Sequence, residues 1–252
     1  MAILSTMAPS LRRSSRRSSR LSSRRSLPRS FPCLAAPLCT AVAAVLTVLV
    51  LAGWDPLLDL DAHVTAELHR TAVTEPGWTR LNRVLTDWVW DPWTMRAVLL
   101  VTVVWLVLRG ARRPALWFSA AALAGTVLQQ ALKALVDRDR PRWSDPVDSA
   151  GFAALPSGHA MTAALTCGLL LWLVRLRRTG RPVRLAVAWV GAVSVAGVGF
   201  TRVYLGVHWP TDVVVGWLLG FAVAAAAAAL WSGRGARPSR PELRGPGGSD
   251  PG

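Results

Sequence analysis

Three short groups of residues carry the side chains that phosphate chemistry needs. Lys133 is the only lysine among 252 residues, and it stands seven residues before Arg140. A second group, residues 156–159, reads Pro-Ser-Gly-His. The third group is Arg202, His208 and Asp212. Together they supply cations, a hydroxyl, two imidazoles and a carboxylate, which are the parts needed to break a phosphate ester.

The third group combines a base with a partner that can orient it. His208 and Asp212 are four residues apart, so the carboxylate can hold the Nδ1–H of the ring and leave Nε2 free to attack. Arg202 offers a planar fork of donors to phosphate oxygens. Taken alone, the pair also fits a purely structural His–Asp contact at a membrane interface.

The second group indicates the start of a helix. Ser157 is a good N-cap, and the free N–H groups of a helix N-terminus attract anions. Gly158 lets an anion approach the backbone closely, and His159 follows at the water-facing end. Ser-Gly is also a common helix start without any function, and a lone lysine such as Lys133 at the end of a span is commonly an interfacial anchor.

The residues around the first group suggest local ion pairs and a turn. Arg138 and Arg142 have three acids nearby as possible partners: Asp137, Asp139 and Asp145. If the helix that contains Lys133 continues to Asp139, then Lys133 and Arg140 lie about two turns apart on a similar face. The proline after Arg140 should turn the chain there. We expect the two other histidines, His63 and His69, to be solvated.

The elements that must position these groups are long and apolar. Hydrophobic residues make up 52% of the chain and occur in blocks of roughly 20 residues, the helical length that crosses a hydrocarbon core. Six blocks are visible: 33–54, 91–108, 114–132, 159–174, 184–201 and 212–231. We therefore predict an all-α polytopic membrane protein, a bundle of six transmembrane helices. The length and number of the blocks exclude a soluble helical protein.

The net charge of +15 is distributed by membrane side. Arginines cluster in four regions that six crossings place on one side: 1–30, 109–113, 175–184 and 234–244. Most of the 14 acids lie on the other side. We therefore expect a multi-pass protein of the plasma membrane. The positive-inside rule then predicts that both termini are cytoplasmic and that the three residue groups lie at the extracytoplasmic ends of helices 3–6. The arginine excess thus reports topology, and we expect no nucleic-acid partner.

Composition also divides the chain into regions. Residues 1–30 are an Arg/Ser-rich segment that we expect to be disordered, residues 31–231 should form the membrane domain, and 232–252 should be a second disordered tail. Residues 55–90 have apolar residues at helical spacing with acids between them, which predicts one or two short amphipathic helices on the outer membrane face. They could form a lip for a lipid substrate or a structural cap over the bundle.

The three groups resemble the signature of the type 2 phosphatidic acid phosphatase family, which is related to bacterial acid phosphatases and vanadium haloperoxidases. Residues 133–141 match the motif Lys-x6-Arg-Pro, and residues 156–159 match Pro-Ser-Gly-His without change. The third motif, Ser-Arg-x5-His-x3-Asp, is matched over 201–212 except that Thr201 replaces the serine. A hydroxyl is retained there.

The resemblance implies a metal-independent phosphatase without a cofactor. By analogy with the family, His208 would attack phosphorus, Asp212 would orient its ring, and His159 would protonate the leaving oxygen and later activate water. The phosphoryl oxygens would be bound by five residues: Lys133, Arg140, Arg202, Ser157 and Gly158. We see no cluster of carboxylates in the sequence that would hold a metal ion.

The membrane location predicts a lipid phosphate as substrate, with membrane lipids as neighbours. Polyprenyl diphosphates, phosphatidic acid and phosphatidylglycerol phosphate all fit, and the sequence favours none of them and indicates no oligomeric state. A lipid phosphotransferase that uses the same phosphohistidine is one alternative. A non-catalytic transporter or scaffold on the same fold is another, although the intact His208, His159 and Asp212 argue against it.

Overall fold

The computed structural model describes residues 31–234, and every regular element in that range is helical. One π-helical turn, Leu85–Val89, joins the third and fourth helices. The eight α-helices are α1 (Phe31–Leu51), α2 (Asp55–Thr74), α3 (Pro76–Val84), α4 (Pro92–Leu108), α5 (Arg112–Val136), α6 (Gly158–Leu176), α7 (Arg181–Tyr204) and α8 (Pro210–Arg234).

Six segments within the described residues are long and apolar enough to span a membrane, as predicted. They are α1, the continuous stretch from α3 through α4, and the four helices α5 to α8. Large apolar side chains cover their outer faces, such as Leu108 and Leu135, which are about four-fifths exposed in the isolated chain. Such exposure is unfavourable in water and suits a hydrocarbon environment.

The first helix of the segment 55–90 is longer than predicted. The expectation of short helices is wrong for α2, which has 20 residues and begins with a proline in its first turn. One face of α2 is buried against α7 and α8, with Asp61, Thr65, His69 and Ala72 pointing inward. These positions are three or four residues apart, the spacing of one helix face. A buried acid and a buried histidine therefore lie against the end of the bundle.

Helix α6 is the centre of the bundle. It contacts α4, α5, α7 and α8, and its most extensive contact is with α8. Leu106 of α4, Phe118 of α5 and Leu169 of α6 are fully buried in the largest apolar cluster. Because four helices pack on α6, the residues of its first two turns from Ala160 onward are buried.

Two glycines allow α8 to approach α6 closely. A Cβ atom at Gly216 would lie 2.8 Å from the carbonyl oxygen of Ser157, and one at Gly220 would collide with the carbonyl oxygen of Met161. Small residues at such crossings let helix backbones pack together in membranes. The close approach places the first turn of α8 beside the first turn of α6.

The predicted tails lie mostly outside the described residues. This applies to residues 1–30 and to residues 235–252. Helix α8 continues to Arg234, so the proposed start of the C-terminal tail at residue 232 is three residues too early.

Candidate active site

The three sequence groups meet at one end of the bundle. Arg140 Nη1 lies 3.1 Å from His208 Nε2, which joins the first group to the third. The backbone N–H of Ser157 donates to the carbonyl oxygen of Asp212 at 3.0 Å, which joins the second group to the third. The predicted convergence of the three groups is therefore present in the structure.

The His208 ring is buried and held on both sides. Its Nδ1 is 3.4 Å from Asp212 Oδ2, and its Nε2 faces the Arg140 guanidinium. Arginine is only a donor, so Nε2 must accept and Nδ1 must carry the proton. This is the tautomer with a lone pair on Nε2, the arrangement that nucleophilic attack requires.

The pKa of His208 is lowered well below its ordinary value. The main cause is burial, which disfavours the charged ring, and the positive charges of Arg140, Arg202 and Lys133 add to it. Burial also lowers the pKa of Arg140, although a guanidinium remains charged at any physiological pH. The His208 ring is therefore neutral beside a group of fixed cations.

Lys133 and Arg140 hold a loop over the site. The Lys133 ammonium donates to the carbonyl oxygen of Ala153. Arg140 donates from Nε to the carbonyl of Phe152 at 2.8 Å and from Nη2 to that of Gly151 at 3.0 Å. Both cations are thus bound to neutral carbonyl oxygens, which a phosphate oxygen with its full charge can replace.

The N-terminus of α6 carries an unusual cap. Ser157 stands at the N-cap position, but its side chain does not cap the helix. Its Oγ is fully buried and has no hydrogen-bond partner among the described residues. At the next residue, a Cβ atom on Gly158 would lie 2.9 Å from Gln129 Nε2, which is too close for an ordinary contact. The glycine therefore lets the Gln129 side chain approach the N-terminus of α6. Buried polar atoms without partners are rare in folded proteins, and an anion at this helix N-terminus would supply the missing acceptor.

Arg202 is a second buried donor beside the site. Its Nη1 lies 3.7 Å from Asp148 Oδ2 and 3.4 Å from Thr86 Oγ1. Its Nε has no hydrogen-bond partner within residues 31–234. Thr201, the position that departs from the family motif, donates from its hydroxyl to the carbonyl of Val198 at 2.9 Å. The hydroxyl at 201 therefore bonds to its own helix.

His159 lies in the first turn of α6, with about a fifth of its side chain exposed. Its Nε2 is 3.8 Å from Asp91 Oδ2. The other oxygen of Asp91 caps α4 by accepting from the Trp93 N–H at 2.7 Å.

Two expectations about individual residues are wrong. Arg138 pairs with none of the three nearby acids; it binds Asp212 and Asp61 at 2.7 and 2.8 Å, whereas Arg142 does pair with Asp139 at 3.0 Å. His69 is not solvated: it is 3% exposed and stacks on Trp143 with ring centres 4.1 Å apart. His63 is exposed, as expected.

A polar cleft of about 600 Å³ opens beside these residues. It is lined by the segment 137–153 and by Gly206 and Val207, the two residues before His208. Arg140 forms part of its wall, and so do Arg138, Arg142 and Asp148. Within the described residues no group of three or more His, Cys, Asp or Glu side chains is placed to hold a metal ion.

Comparison with known families identifies the domain. The model of the PAP2 superfamily matches residues 114–236, a range that includes all three sequence groups. This part of the chain, about half of it, is similar to the PAP2 superfamily. The resemblance to type 2 phosphatidic acid phosphatases is therefore confirmed.

Curated relatives of the PAP2 domain carry the names of lipid phosphatases. An undecaprenyl-diphosphatase from Sulfolobus acidocaldarius is 34% identical over 80 residues, 32% of this chain and 31% of that protein. Phosphatidylglycerophosphatase B from Bacillus subtilis is 34% identical over 96 residues, 37% of this chain and 46% of the relative. Decaprenylphosphoryl-5-phosphoribose phosphatase from Mycobacterium tuberculosis is 33% identical over 126 residues, which are 49% of this chain and 64% of the relative. The alignments thus span less than two thirds of each of these relatives.

A solved structure shares the fold of the whole bundle. It is the crystal structure of a transmembrane PAP2-type phosphatidylglycerolphosphate phosphatase from Bacillus subtilis, with a TM-score of 0.62 and 20% sequence identity. The match covers 81% of this chain and 97% of that protein. Together with the six apolar helices, it shows that this chain is an all-α, multi-pass membrane protein.

Proposed function

We propose that this chain is an integral membrane phosphatase that hydrolyses the phosphomonoester or diphosphate of a lipid through a phosphohistidine. The observation that carries the proposal is the placement of the buried His208 ring, with Nδ1 3.4 Å from the Asp212 carboxylate and Nε2 3.1 Å from the Arg140 guanidinium, together with a pKa that burial lowers. For attack, the Arg140 donor would leave the Nε2 lone pair for a phosphate oxygen, and phosphorus would take its place in front of the ring.

In the first step, His208 Nε2 attacks phosphorus and the bond from phosphorus to the lipid oxygen breaks. His159 donates its proton to the departing oxygen, so the lipid alcohol or lipid monophosphate leaves neutral at that atom. The His208 ring gains a positive charge as the N–P bond forms, and the carboxylate of Asp212 stabilises it through the Nδ1–H.

In the second step, neutral His159 accepts a proton from water as the water oxygen attacks phosphorus. The N–P bond breaks, its electron pair returns to His208 Nε2, and inorganic phosphate leaves. The starting tautomer is restored because Nδ1 keeps its proton throughout. An alcohol in place of water would give the phosphotransferase reaction by the same path.

The proposed phosphate cradle includes two of the buried atoms that have no hydrogen-bond partner among residues 31–234, Ser157 Oγ and Arg202 Nε, and the two loop-bound cations. Ser157 Oγ and Arg202 Nε are already desolvated, so a phosphate oxygen would satisfy them at no further cost. Lys133 and Arg140 would exchange loop carbonyls for phosphate oxygens, and the N–H of Gly158 would complete the set. Loss of one such donor costs on the order of 2.7–4 kcal/mol in the transition state.

The lipid class follows from where the site lies and from the relatives' names. The cleft lies at one end of a bundle of apolar helices, and helices that span the hydrocarbon core would bring this end to the headgroups. The relatives named above are phosphatases for undecaprenyl diphosphate, phosphatidylglycerophosphate and a decaprenylphosphoryl sugar phosphate. Each name describes a phosphate carried by a lipid.

We further infer that the site faces the outside of the plasma membrane and that both termini are cytoplasmic. The loops at the opposite end of the bundle carry eight arginines: Arg109, Arg112, Arg113, Arg175, Arg177, Arg178, Arg181 and Arg184. The positive-inside rule assigns that end to the cytoplasm.

Phosphate release by the purified protein in nanodiscs tests the activity. The substrates are phosphatidic acid, phosphatidylglycerol phosphate and undecaprenyl diphosphate, with and without vanadate. We expect vanadate-sensitive release from at least one of them, and a loss of at least 10⁴-fold in His208→Ala because the reaction loses its nucleophile. His63→Ala, the same change at an exposed histidine of α2, is the matched control and should match the unmodified protein.

Two results would contradict the proposal. One is no hydrolysis of any of the three lipids by a folded protein; the other is equal rates for His208→Ala and His63→Ala. Product analysis with an added alcohol acceptor separates the hydrolase from the phosphotransferase, since only the latter transfers most of the phosphate to the acceptor.

A further inference from the structure

A buried arginine outside the proposed phosphate cradle lies between two buried carboxylates. Arg138 donates from Nη1 to Asp212 Oδ1 at 2.7 Å and from Nη2 to Asp61 Oδ2 at 2.8 Å. The Arg138 side chain is 10% exposed, and the two carboxylates are almost fully buried. Charge-assisted hydrogen bonds of this length in a buried setting are strong and directional.

Asp61 also binds the residue that precedes Asp212. Its Oδ1 accepts from the backbone N–H of Thr211 at 2.9 Å and from the Thr211 hydroxyl at 2.8 Å. Both oxygens of Asp61 are therefore used on groups adjacent to Asp212. Asp61 comes from α2 and lies outside the residues that match the PAP2 model.

These contacts divide the two oxygens of Asp212 between different tasks. Arg138 takes Oδ1, so Oδ2 is left for the backbone N–H of Trp209 at 2.9 Å and for His208 Nδ1 at 3.4 Å. The Arg138 guanidinium also lies over the Trp209 ring, 5.5 Å from its centre. Rotation of the Asp212 carboxylate would break several bonds at once.

We propose that Asp61 is a positioning residue of the active site: through Arg138 and Thr211 it holds Asp212 in the orientation in which Oδ2 faces His208. This inference rests on the proposed function, because it assigns Asp61 a part in the reaction of His208. Asp61 touches neither the nucleophile nor the phosphate cradle, so its effect on the reaction passes through Arg138 and α8.

A double-mutant cycle with Asp61→Asn and Arg138→Gln tests this. Asn has nearly the same size as Asp, but its amide has only one acceptor oxygen. It can therefore accept from Arg138 or from Thr211, but not from both on separate oxygens. We expect Asp61→Asn to lower kcat on the order of 10- to 100-fold, with a smaller change in KM, as for residues that orient a reacting group indirectly. The double variant should be no slower than Arg138→Gln alone, because both changes break the same chain.

Asp59→Asn is the matched control, since Asp59 is exposed on the same helix two residues earlier. Thermal unfolding and monodispersity in detergent establish that each variant is folded. If Asp61→Asn does not fold, Asp61→Glu takes its place in the cycle: it keeps the charge but displaces the carboxylate, and the same non-additivity is expected.

Vanadate affinity, measured by equilibrium dialysis on the same variants, gives a second readout that needs no turnover. Vanadate depends on the nucleophile that Asp212 orients, so its affinity should follow the same non-additive pattern. A protein that binds vanadate but hydrolyses no lipid phosphate would contradict the proposed function and leave the cycle in vanadate affinity to decide the role of Asp61. The inference would be overturned if the effects of the two single substitutions multiply in the double variant, or if Asp61→Asn behaves like the unmodified protein. It would also be overturned if the unmodified protein neither binds vanadate nor hydrolyses a lipid phosphate.

Discussion

At the scale of single residues, the charge state of His208 decides what the site can do. The ring is buried among three cations, and each of these factors disfavours its protonation. A nucleophilic histidine must be neutral, so the cations that we propose to bind phosphate would also keep His208 in the form that can attack. Asp212 opposes them only through Nδ1, which leaves the lone pair on Nε2.

The acid limb of the pH profile should therefore lie below the ordinary histidine pKa of about 6.5. A lowered pKa keeps His208 neutral as the pH falls, so kcat/KM should fall only below that value, provided that chemistry limits the rate. Arg140→Gln removes the cation that faces Nε2; the protonated ring is then less disfavoured, and the limb should move upward by about one pH unit.

Arg142→Gln is the matched control, because it makes the same change in charge at an exposed arginine paired with Asp139. The measurement is kcat/KM between pH 4 and pH 9 for the unmodified protein, Arg140→Gln and Arg142→Gln. An acid limb at or above pH 6.5 in the unmodified protein would contradict the lowered pKa, as would equal shifts in both variants.

The residues of the site could be predicted from the sequence where type and spacing carry the information. His208 and Asp212 are four residues apart and meet as expected, and Ser157 lies at the start of a helix as expected. Asp61 could not be found in this way, because its partners are 77 and 150 residues away in the chain. The only available signal was that it shares one face of α2 with Thr65 and His69.

At the scale of elements, α5 ends earlier than an unbroken helix through Asp139 would require. Its last residue is Val136, and Asp137 adopts a left-handed conformation with φ of 41°. The turn frees Arg138 to reach across to Asp61 and Asp212, and it lets the Ala154 N–H donate to the Arg138 carbonyl at 2.8 Å. The sequence places a breaker only at Pro141, so this earlier end depends on tertiary contacts.

Helix α2 shows the same limit of local patterns. Its apolar spacing predicted helix, which is correct, but amphipathic spacing alone does not distinguish a membrane-surface helix from one that packs on a bundle. The buried His69 and Asp61 decide in favour of packing, since both point into the protein. Of the two interpretations, a cap over the bundle is the one that these contacts support.

At the scale of the whole molecule, the six spans and their arginines predict a single orientation. Ser144 lies in the loop at the site end, and Arg113 lies at the opposite end; both are exposed. In a cysteine-free background, Ser144→Cys should react with a membrane-impermeant maleimide on intact cells, whereas Arg113→Cys should react only after lysis. The reverse pattern would place the site in the cytoplasm and contradict the proposed topology.

The central claim is that one imidazole at the mouth of the bundle takes the phosphoryl group from the lipid. To measure this directly, the enzyme is mixed with lipid labelled in its terminal phosphate, and the reaction is quenched rapidly. The protein is then kept under alkaline conditions and analysed by mass spectrometry. We predict phosphate on His208 Nε2 of the unmodified protein and none in His208→Ala. In His159→Ala both the formation and the hydrolysis of the phosphohistidine should be slower, because His159 serves both steps. Label on any other residue, or lipid hydrolysis by His208→Ala at the rate of the unmodified protein, would contradict the account.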